Sequence, residues 1–296
     1  MSGIVVINKG AGISSQGVVK RVSRLFGGVK AGHTGTLDPM ATGVLPVLIG
    51  RAVKASEYML SSDKYYNATL LLGITTDTED TTGSILTKCD EIPSEKQVLE
   101  AIMSFVGPYM QTPPMYSALK VGGRKLCDMA RAGEVIERAP REVTIHSIYA
   151  TRIDEVTYKL SVHCSKGTYI RTLLADIGEK LGCGGVMAAL ERTKASVFTL
   201  EECHTLEELE AMSDAELKAL VIPTERVFEE LPRITLSDFF ARLALSGVEI
   251  YLKKIGLTYG EGTRVCLYDK DGFFALGEVR AFDSGLAVKP IKQFRL

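Results

Sequence analysis

Eight consecutive residues, Gly32-His33-Thr34-Gly35-Thr36-Leu37-Asp38-Pro39, constrain this chain more than any other stretch. Glycine accepts backbone angles closed to other residues and lets a ligand approach the main chain closely. Proline biases Asp38 away from helix and toward an extended backbone, so its carboxylate can project from a loop. The string therefore describes a shaped, polar loop that carries one carboxylate available for nucleophilic work. On spacing alone, an Asp-Pro turn between a helix and a strand is the favoured account.

Composition sets the class. With 296 residues, 46% of them apolar and 24% charged, the chain has the make-up of a soluble globular protein of roughly two domains. The only apolar run near the start is Ile4–Ile7, too short for a signal peptide, and no segment approaches the ~20 apolar residues of a membrane span. The six cysteines include no C-x-x-C pair, so reduced structural thiols in a cytoplasm are expected in place of a zinc site or a disulfide framework. The net charge of −1 conceals a division. Residues 1–60 carry seven basic groups against two acidic ones, whereas residues 201–230 carry ten acidic groups against two basic ones. Phosphate responds to local potential and not to the total, so the charge permits a nucleic-acid partner without requiring one.

The pattern along the chain mixes helix and strand. Ser14 and Ser15 can cap a helix whose Val18, Val19, Val22, Leu25 and Phe26 share one face, with Lys20, Arg21 and Arg24 largely off it. Ser94-x-x-Gln97 is a capping box before a second amphipathic helix, and Ser213-x-x-Glu216 marks another in the acidic segment. Tyr65–Leu72 reads as a strand. Tyr158, Leu160, Val162 and Cys164 alternate with polar residues, the period of a half-buried strand, which should turn at Ser165-Lys166-Gly167 into a helix beginning near Thr168. Beyond Leu231-Pro232 the chain becomes β-rich: a hairpin over 264–279 around Asp269-Lys270-Asp271-Gly272, then a short strand at 285–288.

GHTGTLDP, continuing as Met40-Ala41-Thr42-Gly43-Val44-Leu45-Pro46, resembles the catalytic loop of the TruB family of tRNA pseudouridine synthases. Asn8-Lys9-Gly10-Ala11-Gly12 resembles the family's early lysine segment, with Gly10 where proline is usual. Asp63-Lys64-Tyr65-Tyr66, Pro113–Lys120 and His163–Arg171 follow in the family's order, and the match is collinear from about Gly3 to about Thr199. A related branch that uses guide RNAs and partner proteins typically reads GHSGTLDPKVTG; the present string favours the stand-alone bacterial type.

The resemblance implies an α+β fold with a central, mainly antiparallel sheet and flanking helices. It divides the chain into a catalytic domain over 1–230 and a small PUA-like RNA-binding module over 231–296. In the tail, Lys253, Lys254, Arg264, Lys289 and Lys292 are the expected phosphate contacts; a β-rich extension packed on the main domain is the other reading. The implied activity is isomerisation of one uridine in the T loop of tRNA, position 55, to pseudouridine after base flipping, in the cytoplasm. The implied partner is the tRNA T-arm, with no membrane, no obligatory protein partner and a monomeric chain. The rearrangement neither gains nor loses electrons and imports no group, so no cofactor and no metal are expected. It needs a nucleophilic carboxylate, a pocket for the detached base and a proton acceptor.

By motif position Asp38 is the nucleophile and Arg171 its partner, a guanidinium that keeps the carboxylate ionised and aimed. Tyr66 would stack on uracil with its phenol near the C5 proton. His33, Tyr169 and Leu190 are matched to residues around the flipped nucleotide, although outside the motifs Leu190 would read as core. Lys9 and Lys20 are expected to contact phosphate. The alternatives are a non-catalytic RNA-binding protein or tRNA chaperone with the same fold, and a synthase acting on another RNA.

Overall fold

The computed structural model describes residues 1–295. Its main sheet has nine strands along the path Gly3–Lys9, Thr42–Ile49, Gly185–Ala195, Lys64–Leu72, Thr157–Cys164, Arg141–Arg152, Gly107–Gln111, with Ala31–His33 and Phe198–Thr199 paired alongside. Every pairing in it is antiparallel except one: Thr42–Ile49 and Gly185–Ala195 run parallel, with Glu191 opposite Thr42 and Arg192 opposite Gly43. That junction delivers Arg192 to the residues just beyond Asp38. The fold is α+β, as expected.

Strand alternation sorts the two faces. Ala68, Leu70 and Leu72, with Leu160 and Val162 opposite, join the core formed with helices Ser15–Leu25, Glu95–Met103 and Ile170–Leu181; Tyr66 packs against that core. Tyr65, Asn67, Ser161 and His163 lie on the other face, which stays open to solvent. Helix Ser15–Leu25 buries Val18, Val19 and Val22 as its stripe predicts, and Ser14 caps it by accepting a hydrogen bond from the Gly17 amide at 3.1 Å. The box at Ser94 and Gln97 forms, and so does that at Ser213 and Glu216. Helix Ile170–Leu181 starts two residues later than expected, with Tyr169 at its N-cap, and ends on Gly182 in the left-handed region.

The tail forms a five-stranded sheet, Arg233–Thr235, Arg264–Asp269, Gly272–Phe282, Gly285–Gln293 and Ile250–Tyr251 in spatial order, covered by helix Asp238–Leu245. The expected hairpin is present, and the last long strand runs further than the sequence suggests. A hydrophobic cluster joins the tail to the main sheet: Ile4, Val6, Val44, Phe198 and Phe228 pack with Cys266, Leu276 and Phe294. The tail is thus welded on by core packing. Among the described residues no helix is long and apolar enough to cross a membrane.

Candidate active site

The loop that carries Asp38 is held by three side chains from elsewhere in the chain. Ser15, one residue inside its helix and fully buried, donates its Oγ hydrogen to the Leu37 carbonyl at 2.9 Å and accepts from the Leu37 amide at 2.8 Å. Leu37 itself is in the core, so the residue before Asp38 is fixed by both its backbone and its side chain. Lys9 donates from Nζ to the carbonyls of Gly10, Pro39 and Ala41 at 3.0, 3.1 and 2.5 Å. Arg192 donates to the carbonyls of Gly35 and Val44 at 3.1 and 2.8 Å. Gly35, with φ of 119°, leaves room for that guanidinium, and a side chain at Gly43 would run into the Arg192 backbone.

Lys9 corrects the expectation of a phosphate contact. It has no accessible surface, and its three donors are all engaged by loop carbonyls. Burial pushes its ammonium down to about 8, with the Asp38 carboxylate opposing the shift and the Arg192 charge adding to it. Lys9 is a brace for the loop and has nothing to offer solvent.

Asp38 meets Arg171 in a two-pronged ion pair, with Nε to Oδ2 at 2.8 Å and Nη2 to Oδ1 at 3.4 Å. Arg171 is 4% exposed, and its remaining donors reach the carbonyls of Thr78 and Tyr116 at 2.8 and 2.7 Å. Each nitrogen of the planar fork thus has a fixed target, which a lysine ammonium could not reproduce. Arg171 sits in the first turn of Ile170–Leu181. A third of the Asp38 side chain remains exposed. The carboxylate is anchored on one side and open on the other.

Tyr66 and His33 border the same loop. Burial raises the Tyr66 phenol above its ordinary value; Arg192 opposes this, and Asp38 contributes in the same direction as burial. The ring is therefore a neutral phenol at physiological pH. Burial and then the Arg192 charge lower the His33 pKa, and His33 Nδ1 is buried without a hydrogen-bond partner. Tyr169 is half-buried; its amide and carbonyl are clamped by the Gln111 side chain at 2.8 and 3.0 Å, and the Arg141 guanidinium lies 5.1 Å from its ring centre. Leu190 is 8% exposed and belongs to the core. Lys20 is exposed on the helix, lining a shallow groove with Gln16, Ser23, Arg24 and Lys30.

Several site residues escaped the sequence. Ser15 and Arg192 brace the loop, and Asp80 is a second, buried carboxylate 4.0 Å from Arg171 Nε, its Oδ1 bonded to Thr78 Oγ1 at 2.7 Å and to the Thr82 amide at 2.9 Å. In the tail, Lys289 pairs with Glu249 at 3.2 Å, Lys292 with Glu57 at 2.5 Å and Arg264 with Glu278 at 3.7 Å. Of the five expected tail cations, three already have carboxylate partners.

Comparison with known proteins agrees with this geometry. Residues 23–170 match the TruB family pseudouridylate synthase N-terminal domain, and residues 171–229 match the tRNA pseudouridylate synthase B C-terminal domain. The chain is 44% identical, over all of its own length and 98% of the relative's, to tRNA pseudouridine synthase B of Alkaliphilus oremlandii. It is 42% identical to the protein of the same name from Methylobacillus flagellatus, over 94% of this chain and 91% of that one. Among solved structures, a chain of a Cbf5-Nop10-Gar1 complex is 25% identical and superposes with a TM-score of 0.71, over 99% of this chain and 84% of that one. The chain belongs to the TruB family of pseudouridylate synthases.

Proposed function

We propose that this chain isomerises a uridine in the T loop of tRNA, at position 55, to pseudouridine, acting as a single chain in the cytoplasm with no cofactor. The observation that carries the reading is the Asp38 carboxylate, partly open to solvent and clamped by the buried Arg171. The full-length relatives named tRNA pseudouridine synthase B support tRNA as the substrate. Six unpaired cysteines suit a reducing compartment.

The uridine must leave its stack before a loop carboxylate can reach it, so the nucleotide flips into the cleft. Asp38 then assists cleavage of the bond from N1 to the ribose C1′. The freed uracil turns, C5 bonds to C1′, the C5 hydrogen passes as a proton to a base and on to water, and N1 takes up a proton in its place, so the product is an isomer of the substrate. Arg171 holds the Asp38 carboxylate in place through these steps by its two bonds. Tyr66, as a neutral phenol, offers a stacking face and a hydroxyl near C5. The partnerless Nδ1 of His33 is a buried polar atom of the kind that a nucleotide contact would satisfy. Tyr169 and Leu190 close the apolar side of the base pocket.

The test is incubation with tRNA carrying tritium at uridine C5, with the modified position mapped afterwards. Release of tritium to water at position 55 is expected. Release from another uridine would refute the substrate assignment. Folded protein that binds tRNA and releases none would be an RNA-binding protein with the same fold.

A further inference from the structure

We propose that Asp63, His146 and His163 form a binding site for a first-row divalent cation of the Zn(II) type, on the sheet face opposite the catalytic cleft. His146 and His163 belong to adjacent antiparallel strands, Arg141–Arg152 and Thr157–Cys164. Regular pairing is interrupted between Ile145 and Ser147, and His146 is the extra residue of that bulge. A bulge re-aims one side chain without moving its neighbours. Here it brings the two imidazole rings to a centre separation of 4.5 Å. Asp63, just before strand Lys64–Leu72, completes the set: its Oδ2 lies 3.2 Å from His146 Nε2 and 3.4 Å from His163 Nε2.

These separations have the dimensions of a coordination polyhedron. A tetrahedral cation with bonds of about 2.0–2.1 Å holds its ligand atoms about 3.3–3.4 Å apart. One ligand atom from each of the three residues lies within 4.8 Å of the others. Two imidazole nitrogens and one carboxylate oxygen suit Zn(II) and its neighbours in the first row, whereas Mg(II) and Ca(II) favour all-oxygen sets. The ring of Tyr65 stacks on His163 at 4.0 Å and 8°, which fixes the imidazole plane. Lys194, a cation on the next strand, lies over Tyr65 at 5.4 Å, and pairing places Tyr65 between it and His163; Lys64, adjacent to Asp63, turns its ammonium to the Leu60 and Ser62 carbonyls. All three ligands keep partial access to solvent, which provides an entry path and a fourth position for water. Tyr65 and Tyr66 point to opposite faces of one strand, so a cation here would tie three chain segments together behind the catalytic tyrosine.

The experiment is a Zn(II) titration of the purified full-length chain by calorimetry and thermal melting, with a parallel Co(II) titration followed by visible absorption. The parent should bind one equivalent saturably with a raised melting midpoint, because a ligand bound only by the native state stabilises it. Co(II) in the site should give visible d–d bands without the thiolate charge-transfer band that cysteine ligation produces. His146→Ala and Asp63→Ala should each weaken binding at least about ten-fold. The proposal fails if the parent binds no saturable equivalent, if both variants bind as the parent does, or if a thiolate band accounts for the bound cobalt. The Co(II) spectrum is read on the parent alone, so the proposal stays testable even if a variant folds poorly.

Discussion

Two adjacent serines at one helix start should separate stability from catalysis. Ser14 caps the helix through a single exposed bond to the Gly17 amide. Ser15 is buried and makes two bonds to the backbone of Leu37, the residue before Asp38. Ser14→Ala removes one N-cap and should cost about 1 kcal/mol. Ser15→Ala removes two hydrogen bonds worth about 1 kcal/mol each and leaves a buried amide and carbonyl unsatisfied, so ~2–4 kcal/mol is expected. The larger difference lies in turnover. With Ser15 shortened, the loop is free to shift at Leu37, and a displacement of the reacting group on the order of 1 Å can lower a rate about a hundred-fold. Single-turnover pseudouridine formation should therefore fall at least about ten-fold in Ser15→Ala and stay at the parental rate in Ser14→Ala. Urea unfolding supplies the stabilities, and a separate tRNA titration confirms that both variants still bind. Equal rates for the two variants, or a Ser15→Ala protein as stable as Ser14→Ala, would refute the claim that Ser15 positions the loop.

Asp38→Asn keeps side-chain size but loses the anion, so it should form no pseudouridine while still binding tRNA; product at the parental single-turnover rate would remove Asp38 as nucleophile. Arg171→Lys retains charge but cannot reach both Asp38 oxygens and the Thr78 and Tyr116 carbonyls, so its rate should fall between those of the parent and Arg171→Ala. Lys20→Ala should lower the slope of log affinity against log salt by about 0.7–0.9, whereas Lys289→Ala, whose ammonium is already paired with Glu249, should leave it unchanged. Burial, then the Glu79 and Glu179 carboxylates, push Asp176 up to about 7. The folded chain therefore holds a proton that the unfolded chain has released above about pH 4, and the stability this brings disappears as pH rises through about 7. Asp176→Asn should gain on the parent over that interval in denaturation series at several pH values; a pH-independent difference would count against the shift.

What the sequence disclosed depended on how local each signal was. The strand over 157–164 was legible because its burial alternates residue by residue, and the helices at Ser94 and Ser213 because capping boxes are written within four positions. Asp38 and Arg171 were legible only through their motif strings, since nothing local says that residues 133 positions apart will pair. Lys9, Ser15 and Arg192 were misread or missed because, Gly10 apart, their partners lie 22 to 157 residues away. A faint signal existed: Lys9 continues the strand phase of the buried Val5 and Ile7, and Arg192 continues that of Leu190. The metal-site reading was closed to spacing rules for the same reason, because its ligands come from three separate segments, one of them displaced by a bulge.

Charge was the least transferable reading, and the structure explains why. The basic excess of residues 1–60 shrinks at the surface, because Lys9 is buried and Arg21 is locked to Glu210 by two bonds of 2.8 and 2.6 Å. Glu210 comes from the acidic segment 201–230, so the two opposite runs partly cancel across space. Of the five basic groups that remain, Lys20, Arg24 and Lys30 gather around one shallow groove on the first helix and the turn after it, while Arg51 and Lys54 lie further along the chain. The helix holding Lys20 and Arg24 begins at Ser15, whose hydroxyl fixes Leu37 beside Asp38. A phosphate held at that groove and the carboxylate of Asp38 would thereby be joined through one helix. Backbone contacts of this kind set the register of an RNA without reading its sequence. A phosphate bound in that groove would therefore lie at a distance from Asp38 set by the helix, and the salt dependence of tRNA affinity in Lys20→Ala tests whether the groove holds one.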